Sequence, residues 1–248
     1  MAEGTGRERI ITGIEGLDKM LNGGIPKSNQ VIIAGGPGTG KTLLCLEYLY
    51  KNALAGETSV MFSLEEDTNM IVANMKEAYG QFTEIDRLLA SGKFIIKGTD
   101  QASSLIQKDK KGNIFTFTTT IADIESTVVE TGATRVAIDS VSIMKLFVKD
   151  PFEYRSVSTS LVTMLRKQSV TALLTMEIET PEKDKLIFEP EFFVYDGIII
   201  MYLSGGEEEN RVPTIEVIKM RGTQHSFSTV PYEITSGGIN LLLIPHKD

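Results

Sequence analysis

Apolar residues in this chain recur with two different periods in turn. Val31-Ile-Ile-Ala34 is a continuous apolar run of strand length, and from Thr42 to Ala53 the apolar positions Leu43, Leu46 and Tyr50, with Leu54 next, fall at helical spacing before Gly56 closes the pattern. The alternation repeats. Strands are predicted at Ser59–Ser63, Phe94–Ile96, Arg135–Asp139 and Val170–Thr175, and helices near 68–79, 119–131 and 153–168. Strands separated by helices of this length predict a mostly parallel sheet covered on both faces, an α/β fold. After Gly197 the helical period disappears, and Ile198–Leu203, Thr214–Met220 and Phe227–Ile234 predict an antiparallel extension at one edge. One turn of helix is expected at Leu17–Leu21, stopped by Gly23-Gly24-Ile25-Pro26, and residues 1–9 read as a loose tail. Lys108–Asn113 and Ser204–Asn210 read as hairpin turns or, alternatively, partner-contact loops.

The length of 248 residues, 42% of them hydrophobic, suits a single domain spanning 1–248. The 33 acidic and 25 basic residues give a net charge of −8, which argues against a protein built to coat nucleic-acid backbone, although a local basic patch remains compatible with it. Cys45 is the sole cysteine, so no intramolecular disulfide can form; with His225 and His246 it supplies too few ligands for a Cys/His zinc site. The polar start and the lack of a long apolar run lead to the expectation of a cytoplasmic protein with no signal peptide and no membrane anchor.

Gly35-Gly36-Pro37-Gly38-Thr39-Gly40-Lys41-Thr42 matches the phosphate-loop pattern G-x-x-x-x-G-K-[ST], between a predicted strand and a predicted helix. Glycines let backbone N–H groups close around a phosphate, and the helix beginning beyond them directs its positive end at the same charge. Gly36 to Leu43 are therefore the candidate nucleotide-binding residues. Lys41 would reach the β- and γ-phosphates, and Thr42 would hold Mg²⁺ by its hydroxyl.

A phosphate loop needs an acidic partner for the metal at the end of a buried strand. Asp139 occupies that position, although an aspartate there could instead cap the next turn. Glu65 and Glu66 follow the strand after the loop's helix. They would face the same crevice and are candidates to orient or deprotonate water; acids that merely suit the start of a helix are the alternative.

Four stretches together resemble one family. Ile11-Thr-Gly-Ile14-x-Gly16-Leu17-Asp18 with Gly23–Pro26, then Gly35–Thr42, Phe62-Ser-Leu-Glu65-Glu66 and Val136-Ala-Ile-Asp139-Ser140 are similar to the opening segment, Walker A, paired glutamates and Walker B of KaiC-like ATPases. Most distinctive is Val217-Ile-Lys219-Met220-Arg221-Gly222-Thr223-Gln224-His225, which resembles that family's K-x-R-G-x-x-H segment. The resemblance implies a RecA-like P-loop NTPase fold, ATP and Mg²⁺ as ligands, and a homo-oligomeric ring, a hexamer being favoured. ATP would lie between neighbouring subunits. Lys219 and Arg221 would then act on the nucleotide of the adjacent protomer, with Met220, Thr223 and His225 lining it. On the residues alone, Lys219 and Arg221 could instead be solvated; being two apart on a strand, they are expected to project together. Phe192 and Phe193 stand where a family member's second domain carries phosphorylated hydroxyls, which counts against autophosphorylation. Ser28-Asn29 and Ser236 replace a usual glycine and aspartate.

Three functional readings follow. The leading one is an ATPase whose cycle changes ring shape or partner affinity. The second is a RecA-type recombination or repair ATPase, disfavoured because residues 177–191 carry Glu177, Glu179, Glu182, Asp184, Glu189 and Glu191 against Lys183 and Lys185. The third is an ATP-dependent scaffold or kinase with little turnover.

Overall fold

The computed structural model describes residues 7–99, 117–148, 150–178, 190–204 and 211–243. The Lys108–Asn113 turn, residues 205–210 of the second expected turn and most of the acidic 177–191 stretch lie outside the described residues.

The chain opens with β1 (Arg9–Ile10), α1 (Glu15–Met20) and β2 (Ile25–Pro26), the two strands pairing antiparallel. The expected tail therefore ends earlier than residue 9. Arg9 donates to the carbonyls of Leu21 (3.0 Å) and Gly24 (3.3 Å) and to Thr223 Oγ1 (2.7 Å), so one guanidinium closes the turn after α1 and fastens it to a turn distant in sequence.

Next come β3 (Gln30–Gly35), α2 (Lys41–Leu54), β4 (Ser59–Ser63), α3 (Thr68–Ala78), α4 (Ile85–Ala90) and β5 (Phe94–Lys97). They are followed by α5 (Phe117–Thr131), β6 (Arg135–Asp139), α6 (Met144–Phe147), α7 (Pro151–Lys167) and β7 (Thr171–Glu177). Four strands, β8 (Gly197–Ser204), β9 (Val212–Met220), β10 (Thr229–Thr235) and β11 (Gly238–Leu241), complete the described fold. One nine-stranded sheet runs β11-β10-β9-β8-β3-β7-β6-β4-β5. From β5 to β8 neighbours are parallel; from β8 to β11 they are antiparallel, the predicted edge extension.

The side chains of β3 show why the sheet is buried on both faces. Val31 and Ile33 enter one core with Leu17, Leu44, Met75 and Leu88 from α1 to α4, while Ile32 and Ala34 enter the other with Ile124, Leu161 and Leu165 from α5 and α7. Successive strand residues point to opposite faces, so an unbroken apolar strand needs helices on both. α7 begins at Pro151, slightly before the predicted start near 153, because Asp150 accepts the Glu153 N–H at 2.9 Å and Pro151 takes the first turn, where no N–H is required.

Besides β1, β2 and α6, the elements α4 and β11 had no clear sequence signal. The six-residue α4 is held by Ile85 and Leu88 in the core, and β11 pairs with β10 from Tyr232↔Leu241 to Thr235↔Gly238 around a tight turn. Ser28, which replaces the expected glycine, has φ 64°, the left-handed conformation that makes glycine usual there. Its N–H is taken by Thr171 Oγ1 (2.8 Å), and Asn29 donates to the Arg221 carbonyl (3.0 Å).

Candidate nucleotide site

β3, β4, β6 and β7 end at one edge of the sheet, and the residues just beyond them converge. Gly35 ends β3, the loop turns through Gly38 (φ 75°) and Gly40 (φ 91°), and α2 begins at Lys41. Both angles are disfavoured for any residue with a Cβ. At Gly40 space is tight as well, since a Cβ would stand 2.8 Å from Ile234 Cδ1 and displace that methyl group. Thr39 is buried and donates to the Gly36 carbonyl (2.9 Å); Tyr232 on β10 donates its hydroxyl to the Thr39 carbonyl. The edge strands thus brace the loop from behind, while Pro37 and Gly38 remain exposed.

Lys41 is only 9% exposed and folds back onto the carbonyls of Gly35 (3.0 Å) and Gly36 (2.9 Å). Burial pulls its pKa below the usual lysine value, opposed by the charges of Glu177, Asp139 and Glu65. An ammonium resting on carbonyl oxygens amid carboxylates is suited to exchange them for phosphate oxygens. Leu43 has its side chain in the core, and its backbone N–H belongs to the first turn of α2, where helices leave donors without an intrahelical partner.

Asp139 ends β6 beside this loop. Its Oδ2 accepts from Thr42 Oγ1 (2.7 Å) and its Oδ1 from Thr175 Oγ1 on β7, and the peptide joining it to Ser140 is cis. The capping role falls instead to Ser140, whose hydroxyl accepts the Ser142 N–H at 3.1 Å in the short 3-10 turn Val141–Ile143. Thr42 and Asp139 form a pair of hard oxygen donors, and among the described residues no cluster of three or more His, Cys, Asp or Glu side chains is built to enclose a metal unaided. That donor set fits Mg²⁺, which usually takes one or two protein oxygens and fills its octahedron from phosphates and water.

Glu65 and Glu66 lie exposed beyond β4, and the turn is fixed by Glu66 N–H donating to Ser63 Oγ (3.0 Å) and Leu64 N–H to the Asp139 carbonyl (2.6 Å). Partial burial, then the nearby charges of Asp139 and Glu177, raise the pKa of Glu65, with Lys41 opposing. Glu65 is thus coupled to the charged groups around the loop. Asp67 rather than either glutamate caps α3, accepting from the Met70 N–H at 3.0 Å.

The remaining candidates lie elsewhere. Val31, at the start of β3, pairs with Gly197, and Gly197 pairs with Met220. Lys219–His225 therefore sits at the opposite end of the parallel strands from Gly35–Thr42, about 20 Å away along a six-residue strand. Lys219 Nζ donates to the carbonyls of Tyr195 (2.6 Å) and Phe192 (3.5 Å), and Arg221 Nη2 donates to that of Phe193 (3.0 Å) while Nη1 lies 3.6 Å from Asp196. The two cations project together, as their spacing predicts, and both reach carbonyls of the short turn Pro190–Phe193 and its neighbours, Lys219 half-buried and Arg221 still exposed. Met220 is buried, and a Cβ on Gly197 would meet its Cε at 2.6 Å. Thr223 accepts from Arg9, and His225 lies 4.6 Å from the ring of Phe227, which is 79% exposed. Phe192 is buried and Phe193 exposed.

Sequence reading missed Thr175, Glu177 and Tyr232. Thr175 and Glu177 close β7 and share the strand-end position that singled out Asp139; Tyr232 gave no signal, since its partner is 193 positions away. No helix among the described residues is long and apolar enough to cross a membrane.

Comparison with known proteins gives a consistent result. The family described as "ATPase: KaiC" matches residues 10–246. A UPF0273 protein of Methanocaldococcus jannaschii is 35% identical over 97% of this chain and 98% of its own length. The circadian clock oscillator protein KaiC of Nostoc is 32% identical over 96% of this chain, which spans 45% of that longer protein. Among solved structures, a KaiC-like protein from Pyrococcus horikoshii superposes with a TM-score of 0.79 at 28% identity, covering 96% of this chain and all of the other. The fold is RecA-like, the family is one of ATPases, and the chain belongs to the KaiC ATPase family.

Proposed function

We propose that this single-domain protein binds Mg²⁺-ATP at Gly36–Leu43 and hydrolyses it in a homo-oligomeric ring, hexameric by preference, acting as a regulatory ATPase. The observation carrying this reading is the separation of Gly35–Thr42 from Lys219–His225 at opposite ends of β3. One copy cannot bring both to a single phosphate, whereas neighbours arranged head to tail can, and such contacts close into rings.

In this reading the loop's N–H groups and Lys41 hold the phosphates, Lys41 leaving the Gly35 and Gly36 carbonyls as it does so. Thr42 and Asp139 would hold Mg²⁺, which when bound neutralises charge on the β- and γ-phosphates. Glu65 orients the attacking water and takes its proton, with Glu66 alongside. Lys219 and Arg221 of the neighbouring copy offset the charge that develops on the transferred group; an arginine placed this way contributes about 10³–10⁵ in rate. Both must first release the carbonyls of the 192–195 turn.

Complementation tests this directly. Arg221→Ala should bind ATP normally yet release phosphate at least about 100-fold more slowly, and Lys41→Ala should fail to bind. Mixed, the two should recover part of the wild-type rate, because some boundaries then pair an intact loop with an intact Arg221. Wild-type turnover by Arg221→Ala alone would remove the assignment across the boundary.

A further inference from the structure

Resting on the reading of Thr42 and Asp139 as metal donors, we propose that Thr175 is a positioning residue for that metal, setting the orientation of Asp139 and through it the hydroxyl of Thr42. Thr175 is fully buried in the run Ala172–Met176, where the surrounding residues are apolar and an isosteric valine would suit the packing. A buried hydroxyl must find a partner. That of Thr175 donates sideways to Asp139 Oδ1 on the neighbouring strand, one position beyond the paired residues Ile138 and Leu174.

Asp139 thereby receives a hydroxyl on each oxygen, from β7 on one side and from α2 on the other. The two donors have different duties. Thr42 begins the helix that meets the phosphates, and donating its hydrogen to Oδ2 leaves the lone pairs of its oxygen directed outward for a cation. That direction persists only while the carboxylate plane is fixed. With Oδ1 released, the carboxylate can rotate about its two-fold terminal torsion, and Lys41, which senses the charge of Asp139, competes for the freed oxygen. Thr175 touches neither nucleotide nor metal in this arrangement; it acts through Asp139, as the outer hydrogen-bond partners of metal ligands do.

The test measures metal binding rather than turnover. Free Mn²⁺ would be titrated by electron paramagnetic resonance against protein saturated with a non-hydrolysable ATP analogue, for wild type, Thr175→Val and Thr175→Ser; affinity for the analogue would be measured separately in EDTA. The expected result is a Mn²⁺ Kd raised about 10–100-fold in Thr175→Val and restored to within about 3-fold in Thr175→Ser, with metal-free nucleotide affinity unchanged. Should Thr175→Val fail to fold, Thr175→Cys, of similar size and a weak donor, supplies the same comparison. Wild-type Mn²⁺ affinity in the valine or cysteine variant would overturn the proposal. Failure of wild type itself to bind Mn²⁺ with the analogue would instead overturn the reading of the Thr42–Asp139 pair, and the proposal with it.

Discussion

Glu47→Gln should stabilise this protein at pH 8 and leave its stability at pH 4.5 nearly unchanged. Glu47 lies midway along α2, is only 2% exposed, and accepts the Ile239 N–H at 2.7 Å. The Gln81 amide lies beside it, and Lys51 one turn further along α2 is the cation whose charge acts on it. These partners do not offset the loss of water, and burial raises its pKa from the ordinary 4.5 to about 7. For an acid with a raised folded pKa, the folded state holds a proton between the two values that the unfolded chain has released. Stability therefore falls as pH rises through that window and levels off above about 7. At about 1.4 kcal/mol per pH unit the full loss is about 3.5 kcal/mol at most. Glutamine keeps the oxygen facing Ile239 and never ionises, and Gln81 can turn its amide to meet the new NH₂ group. Urea unfolding of both proteins without nucleotide, at pH 4.5 and pH 8, should give a difference below about 0.5 kcal/mol at the lower pH and about 1–3 kcal/mol in favour of glutamine at the higher. An equal gap at both pH values, or a glutamine protein weaker at pH 8, would show that Ile239 and Lys51 hold the carboxylate charged and refute the argument.

Tyr232→Phe removes the hydroxyl that the Thr39 carbonyl accepts and leaves that buried acceptor alone, so it should cost about 1–3 kcal/mol in urea unfolding and weaken ATP affinity measured by calorimetry. Glu65→Gln should lower phosphate release by about 10²–10⁴, and Glu66→Gln by far less, because the carboxyl of Glu65 is partly buried among the charges of Asp139, Glu177 and Lys41. As Glu65 must be ionised to take a proton and its pKa is raised, wild-type turnover should decline with falling pH earlier than for an ordinary glutamate; equal losses in the two variants would contradict this assignment.

The sequence made some parts of the molecule legible and left others hidden, for physical reasons. Arg135–Asp139 is a strand with those boundaries because a central parallel strand buried on both faces must be continuously apolar until it reaches the crevice, where the first carboxylate can be useful. The phosphate loop was equally plain, since Gly38 and Gly40 need left-handed angles and Lys41 and Thr42 need the first turn of a helix. Thr175, Tyr232 and β11 were not legible. Each depends on a partner brought near only by folding: Asp139 for Thr175, Thr39 for Tyr232, and Glu47 of α2 for the Ile239 N–H of β11. A hydrophobic pattern records that a position is buried and does not record against what. Lys219 and Arg221 lie between these cases. Their spacing predicted a shared direction, yet only the fold shows that direction to be the 192–195 turn, with Asp196 tying Arg221, Arg166 and the start of β3 together. The same Asp196 accepts the Gln30 N–H at 3.1 Å, so Arg221 rests on the residue that fastens the far end of the loop-bearing strand. Drawing Arg221 away to a neighbour's nucleotide would alter the charge at the base of β3, whose other end carries this copy's own phosphate loop. A ring built from such units would therefore link each nucleotide to the next through the ion pair of Arg221 with Asp196, the Gln30 hydrogen bond and the length of β3.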